Sequence, residues 1–144
     1  MIFIVSYIFP FCSIRFIKRI KVFEKDITSK EFDFIGFNTS LEEFGRKNEI
    51  APKTIYRIQA VFEELCMQII LPELSNEFCM NIMMEYSQTE ECVRMQMKYD
   101  GEMINPLESD NILSLKIALN AAENVEYKQI NDEGYRNLVL AEIR

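Results

Sequence analysis

Side-chain chemistry in this chain must proceed without histidine, because none of its 144 residues is histidine. A histidine base, a histidine metal ligand and a phosphorylated histidine are therefore excluded. The best-spaced alternative is Glu64 with Gln68, four residues apart. Residues i and i+4 share one face of a helix, so these two side chains can reach the same site. The plainer interpretation is that both are solvated polar residues.

A second candidate group lies in the segment Tyr99–Leu107. Asp100-Gly101 is a good turn sequence, and Asn105-Pro106 is a good loop sequence. Polar side chains here would be presented at the end of a strand rather than within one.

A third group follows in the segment Asn111–Ile117. Ser114 and Lys116 offer a hydroxyl and an ammonium group that could contact an anion. Leu113 and Leu115 alternate with them and would block a close approach of the backbone to a ligand.

Together, the three segments resemble the nucleotide-site boxes of the GHKL family, the ATPase domain shared by histidine kinases and anti-sigma-factor serine kinases. The resemblance covers residues 30 to 144 and implies sites for ATP and Mg²⁺. In active relatives, a Glu orients or deprotonates the attacking group, and an Asn four residues later holds Mg²⁺. Glu64 and Gln68 match this pair, but the longer Gln moves the amide oxygen by roughly 1.5 Å. Mg²⁺ tolerates such a displacement poorly.

The other two boxes are also altered. The family's second box places an Asp two residues before a Gly, where it contacts adenine; here Tyr99 precedes Gly101 at that distance. Asp100 lies one residue later and should point to the other side of its strand. Asn105-Pro106-Leu107 matches the family. The Gly-x-Gly that cradles phosphates is missing around Ser114 and Lys116.

These altered boxes predict a degenerate module without ATP-binding or kinase activity and without a cofactor. It would act as a regulatory or accessory cytoplasmic domain, through contacts with a protein partner, within a larger transporter or signalling polypeptide. One alternative is an active anti-sigma-type serine kinase, with Glu64 as base, Gln68 on Mg²⁺ and Asp100 on adenine. A second alternative is a dimerisation domain that binds no ligand.

Charge divides the chain into two parts. Residues 1–23 carry +4 and no acid, whereas the remainder carries 12 basic and 23 acidic residues, or −11, which together give −7. An acidic body repels the phosphate backbone, so nucleic acid is not an expected partner.

Residues 1–23 form an apolar and basic segment that we separate from a domain at 24–144. The apolar run Met1–Ile14 is shorter than the roughly 20 residues that span a bilayer. Three interpretations stay open: the remnant of a membrane segment, an interfacial anchor, or an extra strand or helix of the domain. Either membrane interpretation places the domain on the cytoplasmic side.

The four cysteines, Cys12, Cys66, Cys79 and Cys92, form no C-x-x-C pair. If Cys79 and Cys92 lie on the two strands of one hairpin, register separates them by roughly 20 Å, too far for a disulfide. Buried, reduced thiols are therefore expected, as is usual in the cytosol.

Residue patterns predict eight elements. Residues 32–37 have the composition of a strand, and Ser40 begins a capping box for a helix ending near Asn48. Apolar residues at spacings of 3 and 4 predict a long helix from Pro52 to Pro72.

The second half of the chain alternates between apolar and polar residues. This alternation predicts a hairpin of strands at 78–86 and 93–99. A helix at 112–122, capped by Asp110, and strands at 125–130 and 135–143 are predicted to follow. The expected fold is a two-layer α/β sandwich, with one mixed, mainly antiparallel sheet and three helices on one face.

Overall fold

The computed structural model describes residues 20–144; residues 1–19, with most of the predicted N-terminal segment, lie outside the described residues. The five strands are β1 (Ile20–Ile27), β2 (Met80–Ser87), β3 (Cys92–Tyr99), β4 (Asn124–Asp132) and β5 (Tyr135–Ile143). The helices are α1 (Phe34–Lys47), α2 (Pro52–Val61) and α3 (Ile112–Ala121). α2 continues as a π-helical stretch, the π segment (Phe62–Ile70), and a last α-helical turn (Leu71–Glu73).

The strands form one sheet in the order β1-β2-β3-β5-β4, and every described pairing is antiparallel. The predicted two-layer α/β class is therefore confirmed. The expectation of a mixed sheet is wrong for the described strands, because each neighbouring pair runs in opposite directions.

The core lies between one face of the sheet and the helices. Met84, Met95 and Ala141 are aligned in register across three strands, and all three are buried. Side chains on the opposite sheet face, such as Arg94 and Glu142, are at least partly exposed. Methionine adapts to irregular gaps, so the methionine-rich hairpin serves as core filler.

The strand predicted at residues 32–37 is wrong, because α1 already begins at Phe34. Asp33 caps this helix: its Oδ1 accepts a hydrogen bond from the Gly36 backbone N–H at 2.9 Å. Within α1, Phe37 is buried and stacks on Phe62 with ring centroids 4.2 Å apart. The cap and the aromatic packing outweigh the local strand propensity. Ser40 therefore lies within the helix instead of starting it.

The first strand is β1, which is absent from the eight predicted elements; for residues 20–23 it agrees with the interpretation of the N-terminal segment as an extra strand of the domain. It crosses the boundary drawn between residues 23 and 24, and it pairs with β2 through neighbours such as Phe23 and Met84. Only Phe23 and Ile27 are buried in β1, with exposed Lys25 between them. With only two buried residues, this edge strand shows little of the alternation between apolar and polar residues by which a strand is recognised in a sequence.

The remaining elements confirm the predictions to within about two residues at each end. The predicted long helix is continuous from Pro52 to Glu73, although the nine residues Phe62–Ile70 are π-helical. None of the helices formed by residues 20–144 is long and apolar enough to cross a bilayer.

Candidate functional site

The nucleotide-site resemblance leads to a cleft between the end of the long helix and the loop that precedes α3. We call it the cleft; it holds about 390 Å³ and lies between Gln68–Glu73 and Met103–Asn111. Of the predicted site residues, it brings together Gln68 from the first candidate group and Asn105 from the second.

Acidic side chains dominate the charge of the cleft. Glu73, Glu108 and Asp110 line it, and its described lining contains no Lys or Arg. A triphosphate in the cleft would meet like charges at short range. The residues therefore do not fit a MgATP cradle and would suit a cationic group or a hydrogen-bond donor. Within residues 20–144, no cluster of three His, Cys, Asp or Glu residues could hold a metal ion.

The structure separates Glu64 from Gln68. Gln68 is exposed and lines the cleft, whereas Glu64 is half-buried and is not part of its lining. Both belong to the π segment, whose wider turns change the relative directions of side chains. The predicted pair of base and Mg²⁺ ligand is thus not assembled in this cleft.

Tyr99, predicted at the adenine-contacting position, is fully buried and lies beneath the loop. Its hydroxyl donates a hydrogen bond to the Ile104 carbonyl oxygen at 2.5 Å. Burial raises the pKa of Tyr99 well above its ordinary value, so the hydroxyl stays a neutral donor. Tyr99 therefore fixes the loop in place and presents nothing to a ligand.

Asp100 and Gly101 form the turn that sequence analysis predicted. The Asp100 Oδ1 accepts a hydrogen bond from the Cys79 backbone N–H at 3.0 Å. This bond joins the two strands at the open end of the β2–β3 hairpin, opposite its turn. Gly101 has a φ of +87°, a conformation that favours glycine. Both residues line a neighbouring depression of about 340 Å³, which lies on the other side of Glu73.

Asn105, Ser114 and Lys116 lie in three different surroundings. Asn105 lines the cleft, and its Oδ1 accepts a hydrogen bond from the Leu107 backbone N–H at 3.0 Å. Ser114 is buried, and Lys116 is exposed. The N-cap of α3 is Asn111, whose Oδ1 accepts from the Ser114 N–H at 3.3 Å, so the predicted cap at Asp110 is wrong.

Asn137 organises the loop, a role that sequence analysis did not assign. Its Nδ2 donates to the carbonyl oxygens of Tyr99, Asp100 and Glu102 at 3.3, 3.4 and 3.0 Å. Its Oδ1 accepts from the Tyr127 hydroxyl at 2.6 Å. The residue is completely buried. A buried asparagine facing several turn carbonyls can be recognised only once strand pairing is known.

α3 displays apolar side chains to solvent. Four large apolar side chains, Ile112, Leu113, Ile117 and Leu119, are 56, 71, 38 and 45% exposed. We call this side of α3 its outward face; it also holds the exposed polar residues Lys116 and Asn120. The buried positions of α3 are the small residues Ser114 and Ala118. A helix on a protein surface usually shows the opposite distribution. This face is the largest departure from expectation in the described part of the chain.

The three cysteines in the described part of the chain are free, as predicted. Cys66 and Cys92 are buried, and burial raises the pKa of both thiols. Cys79 is exposed, so the expectation of burial is wrong for this residue. Neither thiol thus has the lowered pKa that is typical of a cysteine nucleophile.

Comparison with protein-family models gives no match for this chain, and comparison with curated proteins also gives none.

Proposed function

We propose that this protein is a regulatory or accessory domain that acts through protein contacts, with a GHKL-like sandwich that has lost ATP binding and kinase activity. The outward face of α3 carries the proposal. Four large apolar side chains lie exposed on a helix of ten residues. Large apolar side chains that lie exposed together on one element mark interaction sites.

Energetics support this use of the face. Covering apolar surface releases about 25 cal/mol for each Å² removed from water. The inward side of α3 packs on the core through buried Ser114 and Ala118 and half-buried Leu115. The four exposed side chains take no part in this packing and can be covered by a partner.

Three features support the loss of nucleotide chemistry. The cleft is lined by carboxylates and, among its described lining, lacks a basic residue. Tyr99, at the family's adenine position, is engaged with Ile104. The start of α3 lacks the glycines that let phosphates approach backbone amides.

The setting of the domain is part of the proposal. It includes a cytoplasmic location and membership of a larger transporter or signalling polypeptide. If the apolar run in 1–23 is part of a membrane segment, the basic residues that follow it lie on the cytoplasmic side. Nucleic acid is not a proposed partner, since the body is acidic.

Calorimetry of the full chain with MgATP tests the loss of nucleotide binding. We expect no heat of binding and no increase in the melting temperature, because a ligand that binds only the folded state must stabilise it. Micromolar binding with turnover would refute the proposal. Glu64→Ala would then show whether that turnover depends on the residue that the family uses as its base.

A further inference from the structure

The cleft and the outward face of α3 form one continuous surface. Asp110 and Asn111 line the cleft and lead directly into α3, whose first two residues belong to the outward face. Met103 lines the cleft from the other side and is 63% exposed. A partner lying along α3 would therefore reach the cleft with one end.

The two ends of this surface differ in charge. The cleft end carries Glu73, Glu108 and Asp110. Along α3 itself, Lys116 is the only charged residue. A partner must therefore bring positive charge to the cleft end and apolar side chains to the helix.

We propose that the partner is a helical segment with an apolar face and basic residues at the end that enters the cleft. This inference rests on the proposed function and adds the chemistry of the partner. Apolar side chains of the segment cover Leu113 and Ile117, and its Lys or Arg side chains pair with Glu108 and Asp110.

Known modes of recognition agree with this arrangement. An amphipathic helix binds by laying its apolar face on an apolar surface. Charge complementarity at one end fixes its direction and raises its association rate. Hydrogen bonds from an ammonium or guanidinium group to carboxylates are the strong ones. Lys116 lies outside the cleft lining and would weakly repel a basic partner.

The test uses the full chain and a synthetic amphipathic peptide of about 15 residues, built from leucine, alanine and lysine. A second peptide carries glutamate at every lysine position. We expect the lysine peptide to bind, with an affinity that falls as salt rises, and the glutamate peptide to bind much more weakly.

Variants locate the binding site of the peptide. Leu113→Ser should weaken binding about tenfold, whereas Ile35→Ser should not change it. Ile35 is the matched control, since it is 79% exposed on a different helix. These positions are exposed, so neither variant should disturb folding.

The charges have a matched control of their own. Glu108→Gln with Asp110→Asn should weaken binding about fivefold. Glu31→Gln with Glu43→Gln removes the same charge from exposed positions away from the cleft and should have no comparable effect. Lys116→Glu should strengthen binding of the lysine peptide about twofold.

Three results would overturn the inference. If the affinity for the peptide is the same in Leu113→Ser and in Glu108→Gln with Asp110→Asn as in the parent chain, binding is only a nonspecific attraction to an acidic protein. A Leu113-dependent preference for the glutamate peptide would keep the docking face and refute the basic partner. A dimer that dissociates on Leu113→Ser would assign the face to a second copy. MgATP turnover would instead refute the proposed function itself.

Discussion

The side chain of Asn137 holds Ile104 in place: its Oδ1 accepts a hydrogen bond from the Ile104 backbone N–H at 3.1 Å. The Ile104 carbonyl in turn accepts from the Tyr99 hydroxyl. Both backbone polar groups of this one loop residue are thus bound by side chains of neighbouring strands, β3 and β5. This pair of contacts sets the position of the loop that forms one wall of the cleft.

Asn137→Ala should be among the most destabilising single substitutions on β5. It would leave several loop carbonyls and the Ile104 amide without their partner in a buried site, at a cost of about 2–4 kcal/mol. Urea denaturation measures this loss. Asn81→Ala is the control, because Asn81 donates only to the exposed carboxylates of Glu24 and Asp26. Equal effects of the two variants would contradict the assigned role of Asn137.

Tyr99→Phe isolates the hydroxyl of the same network. The ring stays in the core, but the Ile104 carbonyl loses its donor, so the free energy of unfolding should fall by about 1–2 kcal/mol. Hydrogen exchange of the amides at 101–104 should speed up in parallel. If exchange of these amides stays as slow as in the parent chain, Tyr99 does not fix the loop.

Burial of Cys66 predicts loss of stability at alkaline pH. Because burial raises the pKa of this thiol, the folded state keeps a proton that the unfolded state releases above about pH 8.5. The free energy of unfolding should then fall by up to about 1.4 kcal/mol per pH unit for this group. Below about pH 8.5 the thiol is protonated in both the folded and the unfolded state, so its full contribution to the free energy of unfolding is present.

Cys66→Ala should reduce this slope between about pH 7 and about pH 10, measured by urea denaturation in the presence of a reductant. Cys79→Ala is the matched control, since the Cys79 side chain is exposed. An unchanged slope in Cys66→Ala would place the alkaline sensitivity elsewhere, for example at buried Tyr99.

The fold could be predicted where the spacing of apolar residues follows a single period, either that of a strand or that of a helix. Strict alternation in Val93–Tyr99 marks β3 with its buried face, and Ile55, Ile58 and Phe62 mark the long helix. The signal fails at residues 32–37, where aromatic strand formers lie in a helix capped by Asp33. The edge strand β1 is missed because only two of its residues are buried.

The candidate site was less predictable, because it depends on side-chain directions. Spacing along an ideal α-helix placed Glu64 beside Gln68, but the π segment does not bring both to the cleft. Alternation along β3 places Tyr99 on the buried face with Met95 and Met97, whereas the family resemblance placed it at the adenine-contacting position; the structure agrees with the alternation. The outward face of α3 escaped notice because seven of the ten residues of this helix are apolar, which gives only a weak amphipathic pattern.

The inverted packing of α3 leads to a last pair of substitutions with opposite expected effects. Ala118 is completely buried where α3 meets the helical layer, so Ala118→Leu should overpack the core and cost about 1–3 kcal/mol. Leu113→Ala removes a larger side chain but from an exposed site, and it should change stability by less than about 0.5 kcal/mol. Thermal or urea denaturation of both variants measures the difference. A large loss for Leu113→Ala would show that its side chain packs within the domain, and α3 would then have no outward face to offer a partner.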